Sequence, residues 1–133
     1  MADDSLQPVE ITLHQKSRRM EIAFSDGSRF DLSYELLRVY SPSAEVRGHG
    51  PGQEVLQVGK RNVEIVSVEA SGSYAIQPAF SDGHNTGIYS WDYLQWLGQN
   101  REKLWREYLQ RIENAGASRE PGPEPFEARP KSK

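Results

Sequence analysis

Arg19-Met20-Glu21-Ile22-Ala23-Phe24-Ser25-Asp26-Gly27-Ser28-Arg29-Phe30-Asp31-Leu32-Ser33 is the stretch that decides the fold. Met20, Ile22 and Phe24 fall on one side of an extended chain, the pattern of a strand with one buried face. Asp26-Gly27 signals a tight turn, because glycine accepts positive φ and aspartate tolerates it. Arg29-Phe30-Asp31-Leu32 then reads as a short returning run. Ser33 stands where a hydroxyl can accept from a free helix N–H, just before a helical pattern.

Part of this stretch recurs. Ala23-Phe24-Ser25-Asp26-Gly27 is repeated as Ala79-Phe80-Ser81-Asp82-Gly83. Strand-like runs over 9–14 and 19–24 lead to the first copy, and runs over 63–70 and 73–80 lead to the second. In the last of these Tyr74, Ile76 and Phe80 are expected on one face. Pro78 removes a ladder donor and predicts an edge strand or a bulge. Ser71-Gly72 marks the intervening hairpin turn. Gly87-Ile88-Tyr89 follows the second copy, and Ser90 takes the place of Ser33. The second loop is one residue longer and carries His84. Each half therefore reads as three strands and a helix.

Beyond Ser90 the spacing is helical. Trp91, Leu94 and Leu97 form an apolar stripe, Gly98 is expected to break or kink it, and Asn100 suits the cap of a second helix. Leu104, Trp105, Tyr108, Leu109 and Ile112 make that helix's apolar face, and Gly116 suits its stop. Strand-rich halves followed by helices predict an α+β fold. A two-layer sandwich on a mainly antiparallel sheet is the preferred arrangement, and a small barrel-like sheet is the alternative. The expected organisation is a flexible N-terminus over 1–7, one domain over 8–115, and a disordered Pro-rich tail over 116–133, where Phe126 is the lone large apolar residue.

Composition narrows the function. The chain has 133 residues, a formal net charge of −3 and no cysteine. Without cysteine there are no disulfides, thiolate zinc sites, Cys-ligated clusters or thiol nucleophiles. There is no basic excess of the kind that nucleic-acid binding requires, and Lys16, Arg18 and Arg19 read as a solvated hairpin turn. Neither a signal peptide nor an apolar run of membrane-spanning length is legible, so a cytoplasmic location with no membrane partner is expected. No nucleophile-elbow pattern occurs, and no catalytic residue is assigned.

The segment between the halves, Leu37-Arg38-Val39-Tyr40-Ser41-Pro42-Ser43-Ala44-Glu45-Val46-Arg47-Gly48-His49-Gly50-Pro51-Gly52-Gln53, is rich in Gly and Pro and reads as neither regular helix nor central strand. Long connections of this kind tend to be functional or disordered. Its glycines beside Arg47 could offer backbone N–H groups to an anion, but their spacing matches no phosphate-binding fingerprint.

Leu37-Arg38-x-x-Ser41-Pro42-Ser43-x-x-Val46, taken with Asp82-Gly83-His84 and Thr86-Gly87-Ile88-Tyr89-Ser90-Trp91-Asp92-Tyr93-Leu94, resembles the N-terminal domain of gamma-butyrobetaine hydroxylase-like proteins. The likeness runs from about Val9 to Tyr108. It is strongest to a cysteine-free bacterial branch, a domain of unknown function. In the hydroxylases three cysteines and a histidine bind zinc. The resemblance puts Ser41, Ser43 and Val46 at the cysteine positions and His84 at the histidine. Neutral hydroxyls and a valine do not make a structural zinc site, so loss of that zinc is expected. The hydroxylases' iron and 2-oxoglutarate chemistry belongs to a separate, larger domain.

Related domains accompany both hydroxylases and P-loop ATPases of iron–sulfur assembly, which implies docking. The expectation is a non-catalytic binding or adaptor module that meets a protein partner or itself. Its expected surface comprises Arg38, Ser41, Ser43, Arg47, His49, His84 and Trp91. The alternative is a metal-handling accessory protein, iron or iron–sulfur related, in which His49 and His84 hold a weak iron or zinc with Glu45 or Asp82 nearby. His14, inside a strand-like run, is expected to be structural.

Overall fold

In a computed structural model of the chain, residues 6–48 and 52–121 are described. Strands β1 (Pro8–His14), β2 (Arg19–Phe24) and β3 (Arg29–Ser33) form an antiparallel sheet in that order. Helices α1 (Tyr34–Val39) and α2 (Ala44–Arg47) follow. Strands β4 (Ile65–Ser71), β5 (Ala75–Phe80) and β6 (Tyr89–Ser90) make a second antiparallel sheet, and α3 (Trp91–Gln99) and α4 (Arg101–Asn114) end the fold. The architecture is α+β with no closed barrel, and each half keeps its own sheet instead of joining one.

The repeated pentapeptide folds alike in both places. Phe24 N–H donates to Ser28 O at 2.8 Å, and Phe80 N–H donates to His84 O at 2.9 Å. Gly27 and Gly83 donate to Phe24 O and Phe80 O, each at 3.0 Å, with φ of 91° and 92°. The Asp26 and Asp82 carboxylates accept from the N–H two residues on. Both helix caps also form, since Ser33 Oγ accepts from Leu36 N–H and Ser90 Oγ from Tyr93 N–H. The halves diverge after the turn. β3 pairs with β2 over five residues, whereas β6 pairs only at Ala75 and Ile76. The longer second loop turns His84 inward instead of continuing a hairpin.

One core joins the halves. Met20, Ile22, Phe24 and Leu32 from the first sheet meet Ile65, Ile76, Phe80 and Tyr89 from the second, with Leu36, Leu37, Leu94, Leu97 and Leu104 from the helices. Tyr74 departs from expectation. It precedes β5 in the turn and is 65% exposed, and the buried face is Ile76, Pro78 and Phe80. Pro78 lies in a central strand, but β6 stops at Ile76, so the ladder on that side has already ended.

Three further expectations change. α3 continues through Gly98, where a Cβ would lie 2.4 Å from the Phe30 ring. This glycine is a point of close helix–strand approach, not a break. Asn100 stands at the start of α4, but its side chain donates back to Trp96 O at 2.9 Å and so closes the end of α3. Ala44–Arg47, read as irregular, forms one helical turn.

Gly116, at φ 64°, ends α4, and the chain then packs back on the domain. Ala117 joins Val39, Tyr108 and Ile112 in a second apolar cluster. Gly59 and Arg61 N–H donate to Ser118 O and Arg119 O. Arg119 holds Glu35 with two bonds of 2.9 and 2.8 Å. At the other end, Gln7 O accepts from Ser25 N–H. Ordered contacts therefore extend past residue 115 and begin before residue 8. The rest of the expected tail, 122–133, the first five residues, and His49, Gly50 and Pro51 lie outside the described residues.

Candidate functional site

The end of α1, the turn of α2 and the loop after β5 meet at a buried polar knot. Ser41 is 1% exposed and His84 6%. His84 Nε2 lies 2.8 Å from Ser41 Oγ and 3.4 Å from Ser43 Oγ, and Nδ1 lies 3.1 Å from Glu45 Oε1. A carboxylate only accepts, so Nδ1 carries the proton and Nε2 accepts from the Ser41 hydroxyl. Ser43 N–H donates to Ser41 Oγ at 3.3 Å, which completes a directed chain. Gly87 closes over it, since a Cβ there would stand 2.4 Å from Ser41 Oγ. Below the knot the Tyr89 hydroxyl donates to Leu37 O at 2.5 Å, and burial raises its pKa.

Charges next to the knot are paired. Asp82 Oδ2 accepts from Arg38 Nε at 2.8 Å and from Lys60 Nζ at 2.6 Å. Burial alone would raise the Asp82 carboxyl. The Lys60 bond, the His84 backbone N–H and Arg38 outweigh it and hold the pKa at about 2. Burial lowers the His84 pKa and the Arg38 charge adds to this, while Glu45 and Asp82 oppose it. The imidazole is therefore held neutral, in keeping with one nitrogen donating and the other accepting.

Serine, histidine and glutamate here have the distances of a nucleophile, a base and an orienting acid. The serine hydroxyl is enclosed, however, and both partners of His84 are spent on internal bonds. The chain of bonds reads as structural satisfaction of buried polar groups.

Beside the knot opens a cavity of about 580 Å³, lined by Val39, Tyr40, Ser41, Val46, Arg47, Gly48, Glu54, Tyr93, Trp96 and Arg111. Tyr93 and Trp96 stack with ring centroids 5.7 Å apart, and the Arg47 guanidinium sits 5.1 Å from the Tyr93 centroid. Trp96 is 45% exposed. The Tyr93 hydroxyl donates to Tyr40 O and the Tyr40 hydroxyl to Leu104 O, which fixes both rings.

Of the residues singled out by sequence, Ser41, Ser43 and His84 are brought into direct contact, with Arg38 next to them through Asp82. Arg47 stands on the cavity wall. Trp91 is placed elsewhere. Its indole N–H donates to Ser73 O at 3.1 Å, against the β4–β5 turn. His49 is outside the described residues. Sequence reading missed Tyr93, Trp96 and Arg111. The signal for Trp96 was present, because it falls off the Trp91, Leu94 and Leu97 stripe that faces the core. Nothing local marked Arg111.

The family model described as gamma-butyrobetaine hydroxylase-like, N-terminal, matches residues 11–95. Two proteins solved by NMR are similar to this chain. One is 48% identical, with 93% of this chain and 94% of that one covered and a TM-score of 0.77. The other is 43% identical, with 90% and 94% covered and the same TM-score. A protein of unknown function from Acidithiobacillus ferrooxidans, assigned to the DUF971 family, is 42% identical over 69% of this chain and 92% of its own, with a TM-score of 0.58. A search of curated proteins gives no match. The chain belongs to the gamma-butyrobetaine hydroxylase-like N-terminal domain family.

That membership implies a zinc position, and the residues found there do not suit the metal. Ser41, Ser43 and His84 converge, and Val46 follows one turn after Ser43. They offer one ring nitrogen already bonded to hydroxyls, two neutral hydroxyls and an isopropyl group, where structural zinc takes four N or S ligands. Hydrogen bonds and packing fill the position. Among the described residues no cluster of three His, Asp or Glu side chains is placed to hold a metal, and no helix is long and apolar enough to cross a membrane.

Proposed function

We propose that this domain is a non-catalytic docking module that receives a protein partner on the face formed by α2, the end of α1 and the outer side of α3. The carrying observation is the open cavity whose walls are Tyr40, Tyr93, Trp96, Arg47 and Arg111. Trp, Tyr and Arg dominate the energetics of protein interfaces, because each offers a large surface with a polar handle. The neighbouring Val55 adds exposed apolar surface and is tied to α2 by its N–H donating to Val46 O. The polar knot underneath serves as a rigid floor. Photo-crosslinking in the host cell tests this. With p-benzoylphenylalanine in place of Trp96, one defined adduct is expected by mass spectrometry. The same probe in place of Tyr74, which is more exposed than Trp96 but does not line the cavity, should give none. Indiscriminate labelling at both positions would remove the docking reading.

The metal-handling alternative, with His49 and His84 as ligands, receives less support. A metal on His84 would have to displace Ser41 or Glu45 from a ring nitrogen. Elemental analysis of the gently purified protein beside its His84→Ala variant decides it. The docking reading expects no stoichiometric iron or zinc in either. A stoichiometric metal lost with His84 would establish the alternative.

A further inference from the structure

Arg47 and Arg111 line one cavity, and neither has a carboxylate within ion-pairing distance among the described residues. Arg18, Arg19, Arg29, Arg38, Arg61 and Arg119 each pair with an Asp or Glu, whereas Arg101 and Arg106, outside this cavity, form no ion pair among the described residues either. With 19 acidic residues against 16 basic ones, carboxylates are not scarce. The two cavity arginines stand beside tyrosines instead. The Arg47 guanidinium lies over the Tyr93 ring, 5.1 Å from its centroid, and Arg111 shares the cavity wall with Tyr40. Each guanidinium has five N–H donors and uses few of them, and the fork geometry suits a carboxylate. Glu54 also lines the cavity but forms an ion pair with neither arginine, which leaves two positive groups against one negative.

Resting on the docking reading above, we infer that the partner presents a short acidic–aromatic segment to this cavity. A large ring would pack against Trp96 and Tyr93, and a flanking carboxylate would bond to Arg47 and Arg111. The volume of about 580 Å³ lies within the ~300–1,000 Å³ of ordinary ligand pockets. Stacked aromatic walls favour another ring, and a guanidinium fixed on a tyrosine face needs little reordering to take a carboxylate.

Three blocked heptapeptides that differ only in a central Glu-Phe-Glu, Glu-Ala-Glu or Lys-Phe-Lys test this by ¹H–¹⁵N NMR titration of the full chain. Glu-Phe-Glu should shift the Trp96 indole and the Arg47 and Arg111 side-chain signals. It should bind about tenfold more tightly than Glu-Ala-Glu, and weaken about tenfold on Arg47→Ala. Arg111→Lys, which keeps the charge but not the fork, should weaken it less. Equal or better binding of Lys-Phe-Lys at the same signals would overturn the acidic chemistry and leave docking intact. No shift with any peptide at millimolar concentration would overturn the inference, and the Trp96 crosslink then judges the docking reading separately.

Discussion

Arg119→Ala should cost about 3 kcal/mol of folding stability, although the residue lies beyond the last helix. Its guanidinium makes the two-bond clamp on Glu35 and lies 4.9 Å from the Trp105 ring centroid. The Glu35 side chain is 7% exposed and makes no other hydrogen bond or ion pair among the described residues. Removing the cation strands a buried carboxylate, which is far more costly than the pair is stabilising. Glu35→Gln/Arg119→Ala should therefore recover a large part of the loss, because an orphaned amide is cheaper to bury than an orphaned charge. Urea denaturation at neutral pH reads both. A single-variant loss under ~0.5 kcal/mol, the level of ordinary surface substitutions, would mean that the segment after α4 does not clamp the domain.

His84→Ala should lower stability by about 3 kcal/mol at pH 7.5, through the cavity it leaves and the loss of partners for Ser41 and Ser43. It should also change how stability depends on pH. The folded-state pKa of His84 lies below its unfolded value. Below pH ~6.5 the unfolded chain therefore binds a proton that the native chain refuses. The contribution is complete above that pH and is lost as pH falls toward the folded-state pKa, at up to ~1.4 kcal/mol per pH unit. Wild type should show this slope in the weakly acidic range, and His84→Ala should lack one proton's share of it. Arg38 next to the ring strengthens the effect, and Glu45 and Asp82 moderate it. Identical slopes in the two proteins would mean that His84 is hydrated and titrates freely, and the knot as described would be wrong.

The sequence by itself determined the elements that rest on local chemistry. The alternation of Met20, Ile22 and Phe24, the two Asp-Gly turns and the caps at Ser33 and Ser90 each depend on neighbours a few residues apart. Motif likeness also gave the family, and with it the positions Ser41, Ser43, Val46 and His84. Where long-range packing ruled, local reading failed. Gly98 looked like a helix breaker because nothing within the helix reveals that Phe30 presses against it. The Pro-rich composition after 115 hid Arg119, whose partner Glu35 is 84 residues away. Only the tertiary structure decided that two nearly equal halves keep separate sheets, that the longer second loop buries His84 on Ser41, and that Arg47 and Arg111 share one aromatic cavity. Those outcomes depend on which distant side chains can satisfy a buried donor or fill a given volume, and no short window of sequence contains that information.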